Sequence, residues 1–264
     1  MRRGPLAVLP MYDRPELRAE TDRLWALLRD RLRAAGMAAP EHLDRAVPAP
    51  AAWTSADLVL GQTCGLPFAT RLAGRVALVG APDYGLDGCP PGHYASALVV
   101  RADDTRQGLA AFAGGTVAIN ERGSQSGHGA LLHAVAPHAR DGRFFRAVRL
   151  TGSHAGSIAA VAEGAADIAA IDAVTWRLAR RHDLAAASLR VLAETEPTPC
   201  LPFITALGND PEAVATASAE AIEALDAASR DALGLCGFVR FDEADYAPLA
   251  ARLAEAETRV ALPD

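Results

Sequence analysis

Short apolar, β-branched runs alternate with helical segments along almost the whole of this chain. That alternation restricts it to an α/β fold with mostly parallel sheets flanked by helices. Leu6–Leu9 reads as the first strand. Asp13, Pro15 and Glu16 then read as a helix start, with Asp13 as cap, Pro15 in the first turn and Glu16 completing an acidic capping box. Leu17, Leu24, Leu28 and Leu32 follow at helical spacing up to Gly36. Further strands are expected at Asp57–Gly61, Val76–Val79, Tyr94–Arg101, Val117–Asn120, Val148–Thr151, Ile168–Ile171 and Leu189–Leu192. Helices are expected at Pro67–Ala73, Thr105–Phe112, Ser126–Ala139, Ser153–Glu163, Val174–His182 and after Asp210-Pro211. Gly80–Gly92 is rich in Gly, Pro and Asp and reads as a loop.

At 264 residues, one large or two modest domains are allowed. The middle of the chain looks like a complete α/β unit. The expected division is residues 1–98 with 203–264 as one lobe and 99–202 as the other. The chain would cross near Val99–Arg101 and again near Glu196–Pro202, where Pro197, Pro199 and Pro202 stiffen the connector. Two crossings make a hinge. Aromatic residues are only 5% of the chain, so the core must come largely from Ala, Val, Leu and Ile.

Net charge is −6 and Lys/Arg-rich runs are missing, which argues against a nucleic-acid partner. No apolar stretch is long enough to insert into a membrane. The start, with a short apolar run broken by Pro10, is a poor export signal, so the chain as written reads as cytoplasmic. Cys64, Cys89, Cys200 and Cys236 are scattered without C-x-x-C spacing, and His128, His133 and His138 are spaced by five around a helix. Neither pattern suits a metal, and no cofactor is expected.

Four segments can carry chemistry. Asn120-Glu121-Arg122-Gly123-Ser124-Gln125-Ser126-Gly127 leaves a strand and opens a helix, where unpaired N–H groups and the positive end of the macrodipole favour an anion. Ser124 and Ser126 add hydroxyls, and Gly127 permits close approach. Plain N-capping by serine explains the same residues. Thr151-Gly152-Ser153-His154 repeats the logic, and His154 at a helix start is expected to act neutral. Asp172 ends a buried strand. It either accepts a hydrogen from a monoprotonated oxyanion or caps the helix that follows. Gln62-Thr63-Cys64-Gly65 is a further strand-to-helix turn, with Tyr12 and Tyr94 at strand boundaries. Cys64 is a candidate thiol at such a turn.

Taken in order, Gln62-Thr63-Cys64-Gly65, Tyr94 with Val99-Val100-Arg101, Asn120 with Ser124-Gln125-Ser126-Gly127, Thr151-Gly152-Ser153-His154 and Ala169-Ala170-Ile171-Asp172 resemble the phosphate/phosphite/phosphonate ABC-transporter substrate-binding proteins. The resemblance runs from about Leu6 to about Thr205. It implies a two-lobed, type 2 periplasmic-binding-protein fold with the ligand in a cleft between lobes, a small oxyanion as ligand, an ABC permease as partner and a periplasmic location. It further implies that Ser124, Ser126 and neighbouring N–H groups hold the oxyanion with Tyr94 and His154, and that Tyr12 and Thr63 come from the opposite lobe. Aminophosphonate binders carry acids for the ligand amine. The approximately matching positions here, around Val174 and Leu201, are apolar. Two alternatives reuse the same fold: a cytoplasmic enzyme built on Cys64, His154 and Asp172, and a ligand sensor acting through a partner protein.

Overall fold

The computed structural model describes residues 4–263; residues 1–3, which open the stretch weighed as an export signal, lie outside the described residues. In chain order the strands are β1 (Leu6–Val8), β2 (Leu58–Gln62), β3 (Ala77–Asp83), β4 (His93–Tyr94), β5 (Ser96–Arg101), β6 (Thr116–Ile119), β7 (Ala147–Leu150), β8 (Ile168–Asp172), β9 (Leu189–Glu194), β10 (Thr198–Pro199), β11 (Phe203–Thr205) and β12 (Gly237–Val239). The chain divides into two compact units. The first ends at His93 and resumes over Pro199–Tyr246; the second takes Tyr94–Thr198 and the chain from Ala247 onward.

The first unit holds a five-stranded sheet in the order β1-β2-β11-β3-β12. β1 and β2 are parallel, and β11 runs against both β2 and β3. β12 also runs against β3. Three strands therefore share one direction and two oppose it, a more mixed sheet than the alternating pattern suggests. The helix Arg18–Ala34 lies in this unit and buries Leu24, Trp25, Leu28 and Leu32, its i, i+4, i+8 stripe. Each such side chain contributes about 1.5–3 kcal/mol when fully buried. Gly36, at φ +81°, ends the helix, and Met37 N–H reaches back to the Leu32 carbonyl at 2.9 Å.

The second unit holds the order β7-β6-β8-β5-β9. β6 is parallel to β7 and β8, whereas β5 runs against β8 and β9. Here four strands share a direction and β5 alone opposes them. β5 and β11 are the first strands of the five-stranded sheets that follow each change of unit. Neither arrives through a helical crossover within its own sheet, which is the connection that makes neighbouring strands parallel. Both faces of this sheet are buried. Leu98, Val100, Val117, Ile119 and Ile168 pack with Phe112, Leu131 and Phe145. The alternate residues Ala97, Val99, Ala118, Ala169 and Ile171 pack with Ile158, Val161 and Ala186. The period-2 alternation thus separates a face of bulky residues from a face of alanines that helices approach closely.

Local differences from the sequence expectation have physical causes. Asp13 does not cap the first helix. Its carboxylate pairs with Arg45, Oδ1 to Nη2 at 3.0 Å, and the turn Pro15–Leu17 starts after Arg14 without a side-chain cap. β3 continues to Asp83 through the stretch read as loop, because Gly80 at φ +137° passes where a side chain would strike Val239 O and Phe238. Between Thr105 and Phe112 only Leu109–Phe112 is helical; Gly108 at φ +72° bars an earlier start. The helix Glu243–Arg259 does not stay with the first unit as expected. Tyr246 ends that unit, while Ala256, Val260 and Leu253 join the core of the second. Evenly spaced apolar residues read alike whichever core receives them. Among the described residues no helix is long and apolar enough to cross a membrane.

Candidate functional site

In the second unit β6 and β7 are parallel neighbours, and Ile119 pairs with Leu150 at their C-terminal ends. The two serine-bearing turns therefore leave the same edge of the sheet, where open α/β sheets place ligands. Backbone bonds tie them together. Thr151 N–H donates to the Ile119 carbonyl and Gly152 N–H to the Asn120 carbonyl, both at 3.0 Å. The Thr151 hydroxyl sits 3.1 Å from the Ile119 carbonyl and 2.7 Å from the Ser157 hydroxyl.

The first turn opens with Ser124, whose Oγ accepts a hydrogen bond from Gly127 N–H at 3.1 Å. The chain then makes one wide, π-helical turn over Gln125–Gly129 before the regular helix Ala130–Val135. Such turns concentrate at functional sites. Gln125, Ser126 and Gly127 are buried despite their polarity. Gly127 has no room for a side chain: a Cβ there would fall 2.0 Å from Asn120 Oδ1 and 3.3 Å from His154 Cε1.

Ser153 caps the helix His154–Ala162, its Oγ accepting from Gly156 N–H at 3.0 Å. Capping and ligand binding are compatible chemically. A serine oxygen that accepts from the backbone keeps its own hydrogen to donate. His154, half-buried at the first position of that helix, shares a 2.8 Å hydrogen bond between Nε2 and Ser126 Oγ. This contact joins the two turns through side chains as well as backbone.

Burial holds the His154 imidazole down, to a pKa of about 4. The expected result is a ring proton signal that does not titrate from about pH 8 to about pH 5 by NMR. Because the unfolded chain takes up a proton near the ordinary value of 6.5, the stability this ring contributes is complete above that value. It is lost as pH falls toward about 4. A titration midpoint near 6.5 would remove the neutral state expected of His154.

The pair Ser126–His154 has the spacing of a nucleophile and its base, but not the chemistry. His154 Nδ1 is buried with no hydrogen-bond partner among the described residues, so no carboxylate orients the ring. Asp172, the acid the sequence offered, accepts at Oδ1 from Thr175 N–H at 2.9 Å and caps the helix Ala173–His182. A ring with a pKa of about 4 is a weak base. Cys64, the third enzyme candidate, belongs to the first unit.

The remaining sequence candidates divide between the units. Tyr94 is buried at the start of the second. In the first, Gln62 is buried, and its Nε2 lies 3.4 Å from both Tyr84 Oη and the Leu201 carbonyl, contacts at the outer limit of hydrogen bonding. Thr63 is fully buried, with its N–H on the Pro202 carbonyl at 3.0 Å. Tyr12 stands edge-on to Tyr84, ring centroids 5.3 Å apart, beside a small, mainly apolar cavity that Gln62 also lines. Two details escape sequence reasoning. His128 is buried within the π-helical turn, its pKa lowered by burial. Thr151, in a turn the sequence singles out, pairs with Ser157 through their hydroxyls at 2.7 Å. The turn is legible in the chain, but its pairing and its place beside the first turn come from the register of β6 against β7. Among the described residues no cluster of His, Cys, Asp or Glu could hold a metal ion.

A family model described as ABC transporter, phosphonate, periplasmic substrate-binding protein matches residues 6–247. Among solved structures, PhnD1 from Prochlorococcus marinus in complex with methylphosphonate superposes with a TM-score of 0.72 at 15% identity, covering 97% of this chain and 98% of that one. A Xanthomonas citri protein bound to ATP gives 0.71 at 16% identity, covering 98% and 100%. A binding-protein component of an ABC phosphonate transporter from Pseudomonas aeruginosa gives 0.68 at 14% identity, covering 96% and 87%. A search of curated protein sequences finds no match.

Proposed function

The chain belongs to the family of periplasmic substrate-binding proteins of phosphonate ABC transporters, and from that membership we propose that its second unit captures a phosphate-, phosphite- or phosphonate-class oxyanion through the turns at Ser124–Gly127 and Ser153–His154. Members of the family are substrate-binding transport proteins, not enzymes, and the fold is the two-lobed α/β fold of periplasmic binding proteins. The observation that carries the ligand reading is the 2.8 Å contact between Ser126 and His154, which sets two helix starts side by side at one sheet edge.

Each helix start contributes about 0.3–1 kcal/mol toward an anion, and up to ~2 kcal/mol where partly buried. Neutral hydrogen bonds add about 0.5–1.5 kcal/mol each, and charge-assisted ones more. Micromolar binding needs about 8 kcal/mol, so several donors must act together. We assign Asn120, Gln125, Tyr94 and Asp172 to the same capture in the second unit, and Tyr12, Gln62 and Thr63 as the first unit's contribution. The physiological partner is an ABC permease, and the protein works in the periplasm as its family does.

A thermal-shift panel of phosphate, phosphite, methylphosphonate, sulfate and small carboxylates tests the ligand class, since bound ligand raises apparent stability by mass action. A rise with the phosphorus oxyanions is expected. Ser126→Ala removes one hydroxyl donor and the partner of His154. It is expected to weaken binding about three- to tenfold by calorimetry, and unchanged affinity would take Ser126 out of the site.

A further inference from the structure

Asn120 stands where β6 ends, and its main chain is already employed, with its carbonyl accepting from Gly152 N–H at 3.0 Å. Its side-chain oxygen is not. Asn120 Oδ1 is shielded from solvent and has no hydrogen-bond partner among the described residues, and the same holds for His154 Nδ1. A buried amide oxygen without a donor is uncommon and costs free energy unless something supplies one. Both side chains close over one spot, the bare Cα of Gly127: a Cβ there would lie 2.0 Å from Asn120 Oδ1 and 3.3 Å from His154 Cε1.

The two turns otherwise offer donors, which suits an anion. An acceptor in that setting is out of place for a fully ionised ligand, whose oxygens carry lone pairs only and would be repelled by the amide oxygen. A singly protonated phosphorus oxyanion is different, because it brings one O–H. Asp172, the acceptor suggested by the sequence, has its Oδ1 engaged by Thr175 N–H.

We propose that Asn120 is a specificity-determining residue whose side-chain oxygen accepts the hydrogen of a monoprotonated phosphorus oxyanion, so that the site favours hydrogen phosphonates and hydrogen phosphite over sulfate and sulfonates, which carry no proton. The proposal rests on the oxyanion reading above and adds the protonation state of the ligand. Discrimination of this kind is strong, because the wrong ligand leaves a buried polar group facing lone pairs.

Methylphosphonate and methanesulfonate provide the test. Below the second ionisation of methylphosphonate both are monoanions of similar shape, and they differ by the one hydrogen. Calorimetry on the whole chain is expected to show methylphosphonate bound at least about tenfold more tightly. Asn120→Ala, which removes no hydrogen bond of Oδ1, is expected to cut that preference to about threefold or less. Asn120→Asp presents oxygens only. It is expected to weaken both ligands while keeping or widening the preference, since only methylphosphonate can offer a proton to the carboxylate. Matching thermal melts of the three proteins show that each is folded. An Asn120→Ala protein with the wild-type preference, or a wild type that binds both ligands equally, overturns the proposal and leaves oxyanion capture standing. A wild type that binds neither overturns both.

Discussion

Gly127→Ala is expected to weaken oxyanion binding at least about tenfold while leaving the protein folded. The new methyl would sit 2.0 Å from Asn120 Oδ1 and 3.0 Å from Asn120 Cγ. No pair of such atoms tolerates that approach, so the Asn120 side chain must swing away. Among the described residues nothing holds its oxygen in place, because Asn120 Oδ1 has no hydrogen-bond partner there. The clash is therefore relieved by a rotamer change and not by unfolding. Alanine is also the better helix former, by about 1 kcal/mol, which offsets part of the strain. Binding suffers on two counts: Asn120 leaves its position, and a methyl crowds His154, with Cε1 3.3 Å away. Calorimetry beside a thermal melt separates the two effects. An affinity within about twofold of wild type would mean that the ligand does not approach Gly127 closely. In the double variant Gly127→Ala with Asn120→Ala the 2.0 Å clash is gone, so its loss relative to Asn120→Ala alone reports the methyl.

That dependence of one residue on another seven positions away marks the boundary of what sequence reasoning reaches here. The alternation of strands and helices, the helix stripe of Leu24, Leu28 and Leu32, and the two turns at Ser124–Gly127 and Ser153–His154 are local patterns, and they are legible in the chain. Strand direction is not. β5 and β11 run against their neighbours because of the route the chain takes, a non-local fact. The helix Glu243–Arg259 carries a regular apolar stripe that does not say which core receives it. The site divides the same way. Serine at a strand-to-helix turn reads equally as cap or ligand donor, and both Ser124 and Ser153 do cap. Asp172 reads as cap or acceptor, and its Oδ1 caps. The contact between Ser126 and His154 spans 28 positions and exists because Ile119 and Leu150 share a register. A buried oxygen without a partner, as in Asn120, leaves no mark on a sequence at all.

The same register makes Thr151 the position where one oxygen atom holds most of the second turn. Its hydroxyl lies 3.1 Å from the Ile119 carbonyl, 3.0 Å from the Ser153 carbonyl and 2.7 Å from Ser157 Oγ. It has one hydrogen, so it donates to one of the two carbonyls and accepts from Ser157. Thr151→Val keeps the shape and deletes the oxygen. Ser157 is fully buried, and its hydroxyl would lose that partner. The expected loss is about 1–3 kcal/mol of stability, read from chemical denaturation. Binding should fall as well, by about three- to tenfold, because Ser153 and His154 would no longer be clamped against the end of β6. Thr151→Ser restores the hydroxyl without the methyl and is expected to recover most of both. If Thr151→Val were as stable as Thr151→Ser, the hydroxyl pairing would carry no energy, and the placing of His154 against Ser126 would have to come from the backbone bonds of Thr151 and Gly152 alone.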